Sequence, residues 1–138
     1  MLEASPVTIE LGVEPVADAI DASVAAAQAC VSCADSCLAE EDVAPLARCV
    51  ALCDCCADVC ATTGRLLSRP FGAEHRVTHR SLQACVLMCS SCAEECERHA
   101  AHHRHCALSA KACRACVQAC KTLLDAEAFK ELEKLAGA

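Results

Sequence analysis

The sequence predicts an all-α protein, an antiparallel four-helix bundle with a cysteine-lined core. Apolar and cysteine residues recur every three or four positions through most of the 138 residues, which is the spacing of one helix face. Proline and glycine fall mainly near the ends of these periodic segments, and no segment alternates as a strand would. Four such segments of about 25 residues joined by short loops are typical of an antiparallel bundle.

The first two helices are bounded by prolines and by an acidic turn. We predict the first helix from about Pro15 to Glu40, with Pro15 in its first turn. The second helix runs to about Ser68, with Asp42 as a plausible N-cap and Pro45 in the first turn.

The other two helices follow the break RPFG. The third is predicted from about Ala73 to His99 and the fourth from about His103 to Ala126. The segment RHAAHHRHC between them holds neither glycine nor proline, so the pattern also allows a continuous helix there.

We expect a single domain over residues 1–138, with an N-terminal arm (1–13) and a helical tail (127–138). PVTIEL in the arm could form a short extra helix or strand. The tail EAFKELEKLAGA either extends the fourth helix or packs separately.

Composition excludes several classes of protein. Sixteen cysteines would suit a disulfide-rich secreted domain, but the acidic N-terminal segment has no basic region followed by an apolar run, so we expect no signal peptide. We expect no membrane span, a cytoplasmic location and reduced thiols that bind metal or carry redox chemistry. The net charge of −7 and the absence of a basic stripe with aromatic residues argue against nucleic acid.

Fifteen of the sixteen cysteines form one stripe per helix at core positions. They are the predicted metal ligands: Cys30, Cys33, Cys37, Cys49, Cys53, Cys56, Cys60, Cys85, Cys89, Cys92, Cys96, Cys106, Cys113, Cys116 and Cys120. Cys55 lies far from its stripe, so we expect it to point away from the column and not to bind metal. Ser109 fills the gap between Cys106 and Cys113.

A tube lined with thiols favours Cu(I). Copper(I) is soft, accepts two or three sulfurs and shares a sulfur with a second copper, whereas zinc takes separate tetrahedral sites and iron–sulfur clusters use loops. One Cu⁺ per thiolate also leaves the dry core neutral. The alternatives are general Zn or Cd sequestration, a thiol-redox protein, and cysteines that merely pack as small apolar side chains.

The repeated motifs CADSC, CVALC, CADVC, CVLMC, CAEEC and CVQAC give the chain a family resemblance. It resembles the cytosolic copper storage proteins, cysteine-rich four-helix bundles, over about residues 15–125. The resemblance implies storage of many Cu(I) ions, no signal peptide and a homotetramer. On this basis we expect no enzymatic activity and no catalytic site. Copper would come from a copper-delivering chaperone or a small thiol.

The histidines near the third loop predict where copper enters. His99 and His102 are three and four residues from a cysteine, and we count both among the candidate ligands. We read His103 and His105 as part of a solvated turn. His75 and His79 lie at the opposite end and Met88 lies beside the stripe, and we expect packing or surface roles for them.

The cysteine columns lie toward the end of the bundle that holds the first and third loops. Small and apolar residues are expected to close the other end, namely Ala19, Ser23, Ala26, Leu66, Thr78 and Leu82.

Overall fold

The computed structural model describes residues 1–70 and 72–135. Its four long helices are α1 (Val13–Leu38), α2 (Ala47–Leu67), α3 (His75–His99) and α4 (Arg104–Leu124), and a fifth, α5 (Glu127–Leu135), follows them. α1 packs against α2 and α4, and α3 packs against the same two helices. No strand occurs in the described ranges. The predicted all-α four-helix bundle is confirmed.

The start of the second helix differs from the prediction. Ala44–Leu46 form a 3-10 turn that contains Pro45, and α2 begins only at Ala47. The residue at its N-cap is Leu46, which makes no side-chain capping hydrogen bond. The predicted cap at Asp42 is therefore wrong, because the turn places it too far ahead of the helix.

A turn separates α3 from α4. The carbonyl of His99 accepts hydrogen bonds from the backbone N–H groups of His102 and His103, at 3.1 and 2.9 Å. His103 then has extended backbone angles, φ −134° and ψ 108°. The continuous helix that the sequence allowed here is thereby excluded. At its other end α3 begins after Glu74, whose carboxylate accepts from the Arg76 backbone N–H at 3.1 Å.

The N-terminal arm and the C-terminal tail both lie at the end of the bundle opposite the turn between α3 and α4. PVTIEL forms neither a helix nor a strand, and the only helical turn in the arm is a 3-10 turn at Leu2–Ala4. The tail packs separately as α5, whose Phe129 ring lies 5.2 Å from the ring of buried His79. Phe71 of the RPFG break and residues 136–138 of the tail lie outside the described residues.

At the closed end of the bundle, two of the six predicted core residues are replaced by their neighbours in the sequence. Ala19, Ser23, Ala26 and Leu82 are fully buried as expected. Leu66 and Thr78 are only partly buried, and their neighbours Leu67 and His79 take the core positions instead. The reason is periodicity: steps of three and four continued from Cys60 and from Leu82 reach Leu67 and His79.

α1 is long and apolar enough to cross a membrane by length and composition, which corrects the expectation that no segment would be. Core helices of soluble proteins pass the same test. In this structure α1 buries Ala19, Ala26 and Cys30 against the other helices.

Candidate metal centre

The fifteen striped cysteines all lie in the core of the bundle. Each is a free thiol with at most 1% of its surface exposed. Cys55 is also a free thiol but is exposed on the outer face of α2. The helical register read from the sequence therefore separates the inward thiols from the outward one correctly.

The inward sulfurs form a column that contains four sets of candidate ligand atoms. In each set the four sulfur atoms lie within 4.8 Å of one another. We order the sets from the end of the bundle that holds the first and third loops toward the opposite end. They are Cys33, Cys37, Cys49 and Cys106; then Cys33, Cys49, Cys53 and Cys96; then Cys30, Cys56, Cys92 and Cys113; then Cys60, Cys85, Cys89 and Cys116.

Short sulfur–sulfur contacts continue the column between and beyond these sets. Cys56 lies 3.6 Å from Cys89, which in turn lies 3.3 Å from Cys60. Cys116 approaches Cys120 at 3.9 Å, so the column ends deep in the bundle. Sulfurs from different helices are thus close enough for one ion to bind two helices and for one sulfur to bind two ions.

The thiols cannot all ionise in this dry core. Burial, followed by the charge of Cys37, raises the pKa of the Cys106 thiol to about 11. The contact between the Cys116 and Cys120 sulfurs raises the pKa of Cys120 and lowers that of Cys116. Burial makes each further thiolate charge in the column more costly. A monovalent soft cation that replaces a thiol proton adds no net charge to the core.

His105 is the histidine that contacts the column. Its Nδ1 lies 3.4 Å from Cys33 Sγ, 3.6 Å from Cys106 Sγ and 4.0 Å from Cys37 Sγ. Its Nε2 is buried without a hydrogen-bond partner, 3.8 Å from Glu40 Oε1. Glu40 Oε2 lies 2.7 Å from His103 Nδ1, and ligand atoms of these three residues lie within 4.8 Å of one another.

The two histidines singled out in the sequence are placed differently. His99 Nε2 lies 2.8 Å from an oxygen of Glu95, a buried carboxylate that also faces Arg48 and Arg98 at 3.5 and 3.6 Å. His102 is exposed in the turn. Among the described residues, neither belongs to a set of candidate ligands within 4.8 Å. That these two bind metal stays a prediction.

Sequence reasoning missed His105 and Glu40. His105 lies four residues before Ser109 and so shares its face of α4, whereas a step of three or four residues back from Cys106 reaches His103 or His102 instead. Glu40 has no such signal, because the turn after α1 positions it. At the opposite end His75 is exposed and His79 is buried against Phe129, and Met88 packs on the core.

Taken together, soft sulfur donors fill the bundle and imidazole and carboxylate donors stand at one end of it. A sequence profile described as "Csp: Copper storage protein" matches residues 13–125. The chain belongs to the copper storage protein family. The matched range spans all four long helices, so the family resemblance drawn from the cysteine motifs is confirmed.

Solved structures of a copper storage protein share this fold. Ccsp from Streptomyces lividans, loaded with 10 copper equivalents, is 44% identical with a TM-score of 0.86, over 89% of this chain and 94% of that one. A five-copper structure of the cytosolic copper storage protein from the same organism is 47% identical with a TM-score of 0.79, over 82% and 94%. The uncharacterized cysteine-rich protein YhjQ of Bacillus subtilis strain 168 is 32% identical over 106 residues, 75% of this chain and 91% of that protein.

Proposed function

We propose that this protein stores and buffers copper as Cu(I) in the cytoplasm by reversible coordination to thiolates inside the bundle. The observation that carries the proposal is the continuous column of fifteen buried free thiols. It is supported by the family match and by the copper-loaded relatives from Streptomyces lividans, one of them described as cytosolic. In this proposal the chain is a store with no catalytic step.

Bridged Cu(I) chains fit the column better than isolated sites. An isolated copper held by two thiolates leaves one net negative charge in the core, which is costly to bury. When each sulfur bridges two coppers, about one copper per thiolate balances the charge. The 3.3–3.9 Å sulfur contacts between helices allow this sharing.

The two alternatives fit the structure less well. A thiol oxidoreductase needs an accessible thiol of lowered pKa, often at a helix N-terminus, but the CxxC pairs here lie within helices and face inward. Zinc or cadmium would need tetrahedral sites of four thiolates, each with two net negative charges in the core. Competition between Cu(I) and Zn²⁺ at equal free concentration distinguishes storage of copper from general sequestration.

We place the copper entrance at the end that holds the first and third loops, which we call the mouth. There His105 is partly exposed and touches three thiols, so an ion reaching its imidazole has a sulfur neighbour at once. At the other end Leu82 and Leu123 are fully buried and offer no ligand to a passing ion. His99 and His102 stand at the same mouth and remain candidate ligands.

The donor and the assembly state also belong to this proposal. We expect a chaperone or a small thiol to deliver copper, because a free Cu⁺ ion would not cross the cytoplasm unbound. A homotetramer follows from the family resemblance. The outer face of α1 supports an interface, since Val24 and Val31 are more than half exposed there. Sedimentation of the wild type and of Val24→Glu tests this, with Val77→Glu on α3 as the control.

Titration of the reduced protein with Cu(I), followed by native mass spectrometry, tests the proposed function. We expect the filled state to hold on the order of one copper per inward thiol. Fifteen inward thiols can form at most three complete sets of four, so saturation at about three ions would instead indicate separate four-thiolate sites and would contradict bridged storage.

A further inference from the structure

Three polar side chains lie together at the mouth, beside the thiol column. Glu40 comes from the turn after α1, and His103 and His105 come from the start of α4. One candidate ligand atom of each residue lies within 4.8 Å of the other two. The side chains are 23% to 34% exposed, so an ion can reach the group from outside the bundle.

One nitrogen of this group has no partner. His105 Nε2 is buried and makes no hydrogen bond, and it is the only such side-chain nitrogen or oxygen among the described residues. It lies 3.8 Å from Glu40 Oε1, which is too far for a hydrogen bond. A buried polar atom without a partner is unusual in a folded protein, and a bound ion is one way to satisfy it.

The separations suit a metal ion held between the three side chains. Two ligands that each lie about 2.0–2.1 Å from a tetrahedral zinc ion are about 3.3 Å apart. Glu40 Oε2 lies 2.7 Å from His103 Nδ1, and Glu40 Oε1 lies 3.8 Å from His105 Nε2. One separation is shorter and the other longer than the ideal value, so small side-chain rotations would bring all three ligands to an ion.

The donor atoms of this group differ in kind from those of the column. Two imidazoles and a carboxylate suit a borderline divalent cation such as Zn²⁺. Cu(I) prefers sulfur, and Cys33 Sγ lies only 3.4 Å from the other ring nitrogen of His105. The two sides of one imidazole ring therefore face sites of different chemical preference.

We propose that Glu40, His103 and His105 form a second metal site, which binds a divalent cation such as Zn²⁺ and blocks the copper entrance while it is occupied. The blocking rests on the Cu(I) storage and the entrance proposed above. A neutral imidazole carries one proton, so an ion on His105 Nε2 leaves that proton on Nδ1. Nδ1 then donates to a thiol sulfur and is no longer a ligand for copper.

Calorimetric titration of the copper-filled protein with Zn²⁺ tests the site. Cu(I) already occupies the thiols, so we expect about one Zn²⁺ per chain. Glu40→Gln and His103→Ala each remove a ligand and should weaken binding at least about tenfold, since even the loss of an outer partner of a metal ligand costs that much. X-ray absorption at the zinc edge should show nitrogen and oxygen neighbours, and sulfur in the first shell would overturn the site.

Two other variants provide matched controls. Glu41→Gln removes the same charge from the next residue, and His75→Ala removes a histidine at the far end of the bundle. Both residues are exposed, and among the described residues neither belongs to a set of candidate ligands. Both variants should bind Zn²⁺ as the wild type does. A loss in Glu41→Gln equal to that in Glu40→Gln would overturn the site, because nearby charge would then hold the ion.

Release of copper to a water-soluble Cu(I) chelator tests the blocking. With Zn²⁺ bound, the filled wild type should release copper about tenfold more slowly than without Zn²⁺, because His105 no longer takes part in the transfer. Glu40→Gln at the same Zn²⁺ concentration should release copper at its zinc-free rate. Unchanged release from the zinc-bound wild type, or equal slowing in both proteins, would overturn the blocking.

The failure of this inference is distinguishable from the failure of storage. Native mass spectrometry gives the copper content before each experiment, and a chain that does not fill with copper would overturn storage and the blocking that rests on it. The site is then tested on the reduced copper-free protein, where the wild type should bind one Zn²⁺ more than Glu40→Gln. Equal zinc contents would overturn the site as well.

Discussion

The two ends of the bundle are built from the same four helices but with opposite chemistry. At the mouth, polar turns bring Glu40, His103 and His105 against the outermost thiols. At the far end, Leu82, Leu123 and the α5 residue Phe129 are buried together with small side chains. In the proposed function the two ends of one fold have separate tasks: the apolar end contributes stability, and the polar end gives ions a path to the thiols.

The largest difference between the ends should appear in stability. Leu82→Ala removes a fully buried side chain from the closed end and should lower the free energy of unfolding of the copper-free protein by about 2–5 kcal/mol. Cys37→Ala at the mouth removes one sulfur atom and should cost about 1 kcal/mol. Urea unfolding followed by circular dichroism measures both. Equal losses would show that the thiol end contributes as much packing as the apolar end.

The next difference concerns the rate of copper loading. His105→Phe removes the imidazole that touches three thiols and should slow loading from a Cu(I) donor by about tenfold, which is about 1.4 kcal/mol in the barrier. The final capacity should stay nearly unchanged. Stopped-flow transfer from a coloured Cu(I) chelator measures the rate.

Two further variants test where copper enters the bundle. His99→Phe combined with His102→Phe tests the histidines singled out from the sequence, and slower loading would show that they also take part. His75→Phe at the far end is the control and should load at the wild-type rate. Slow loading in His75→Phe alone would place the copper entrance at the far end of the bundle and would contradict an entrance at the mouth.

A smaller effect distinguishes the inner from the outer surface of one helix. Cys55→Ser changes an exposed thiol and should leave the copper capacity unchanged, whereas Cys53→Ser should lower it by about one ion. Native mass spectrometry of the filled variants resolves this difference. Comparable losses in both variants would mean that Cys55 also holds copper.

Copper removal should have the smallest effect on the fold. The helices are long, and in the absence of metal the cysteines pack as small apolar side chains, so the reduced copper-free chain should keep nearly all of its helix content. Far-ultraviolet circular dichroism before and after copper removal measures this. A largely unordered copper-free chain would show instead that the metal drives folding.

The sequence was a good guide wherever a regular period decides the structure. Cys53 and Cys56 were placed inward and Cys55 outward by the helical repeat alone, and the structure agrees. The same repeat, continued correctly, would also have given Leu67 and His79 at the closed end, where Leu66 and Thr78 were predicted. These residues could be predicted because a helix fixes the direction of each side chain relative to its neighbours.

The mouth was harder to predict because turns, and not helix periods, build it. The extended backbone of His103 starts α4 at Arg104 and sets where His105 points. Glu40 reaches the same place from the turn that follows α1. A contact between two loops far apart in the chain depends on how the helices pack, so the local pattern of residues cannot predict it.

X-ray absorption at the copper edge tests the central claim most directly, namely that the column holds chains of Cu(I) bridged by thiolates. The filled protein should show Cu(I) with sulfur neighbours in the first shell and a second shell of copper atoms close by, because each sulfur bridges two ions. A first shell of sulfur without any copper–copper shell, or one dominated by nitrogen and oxygen, would contradict the account.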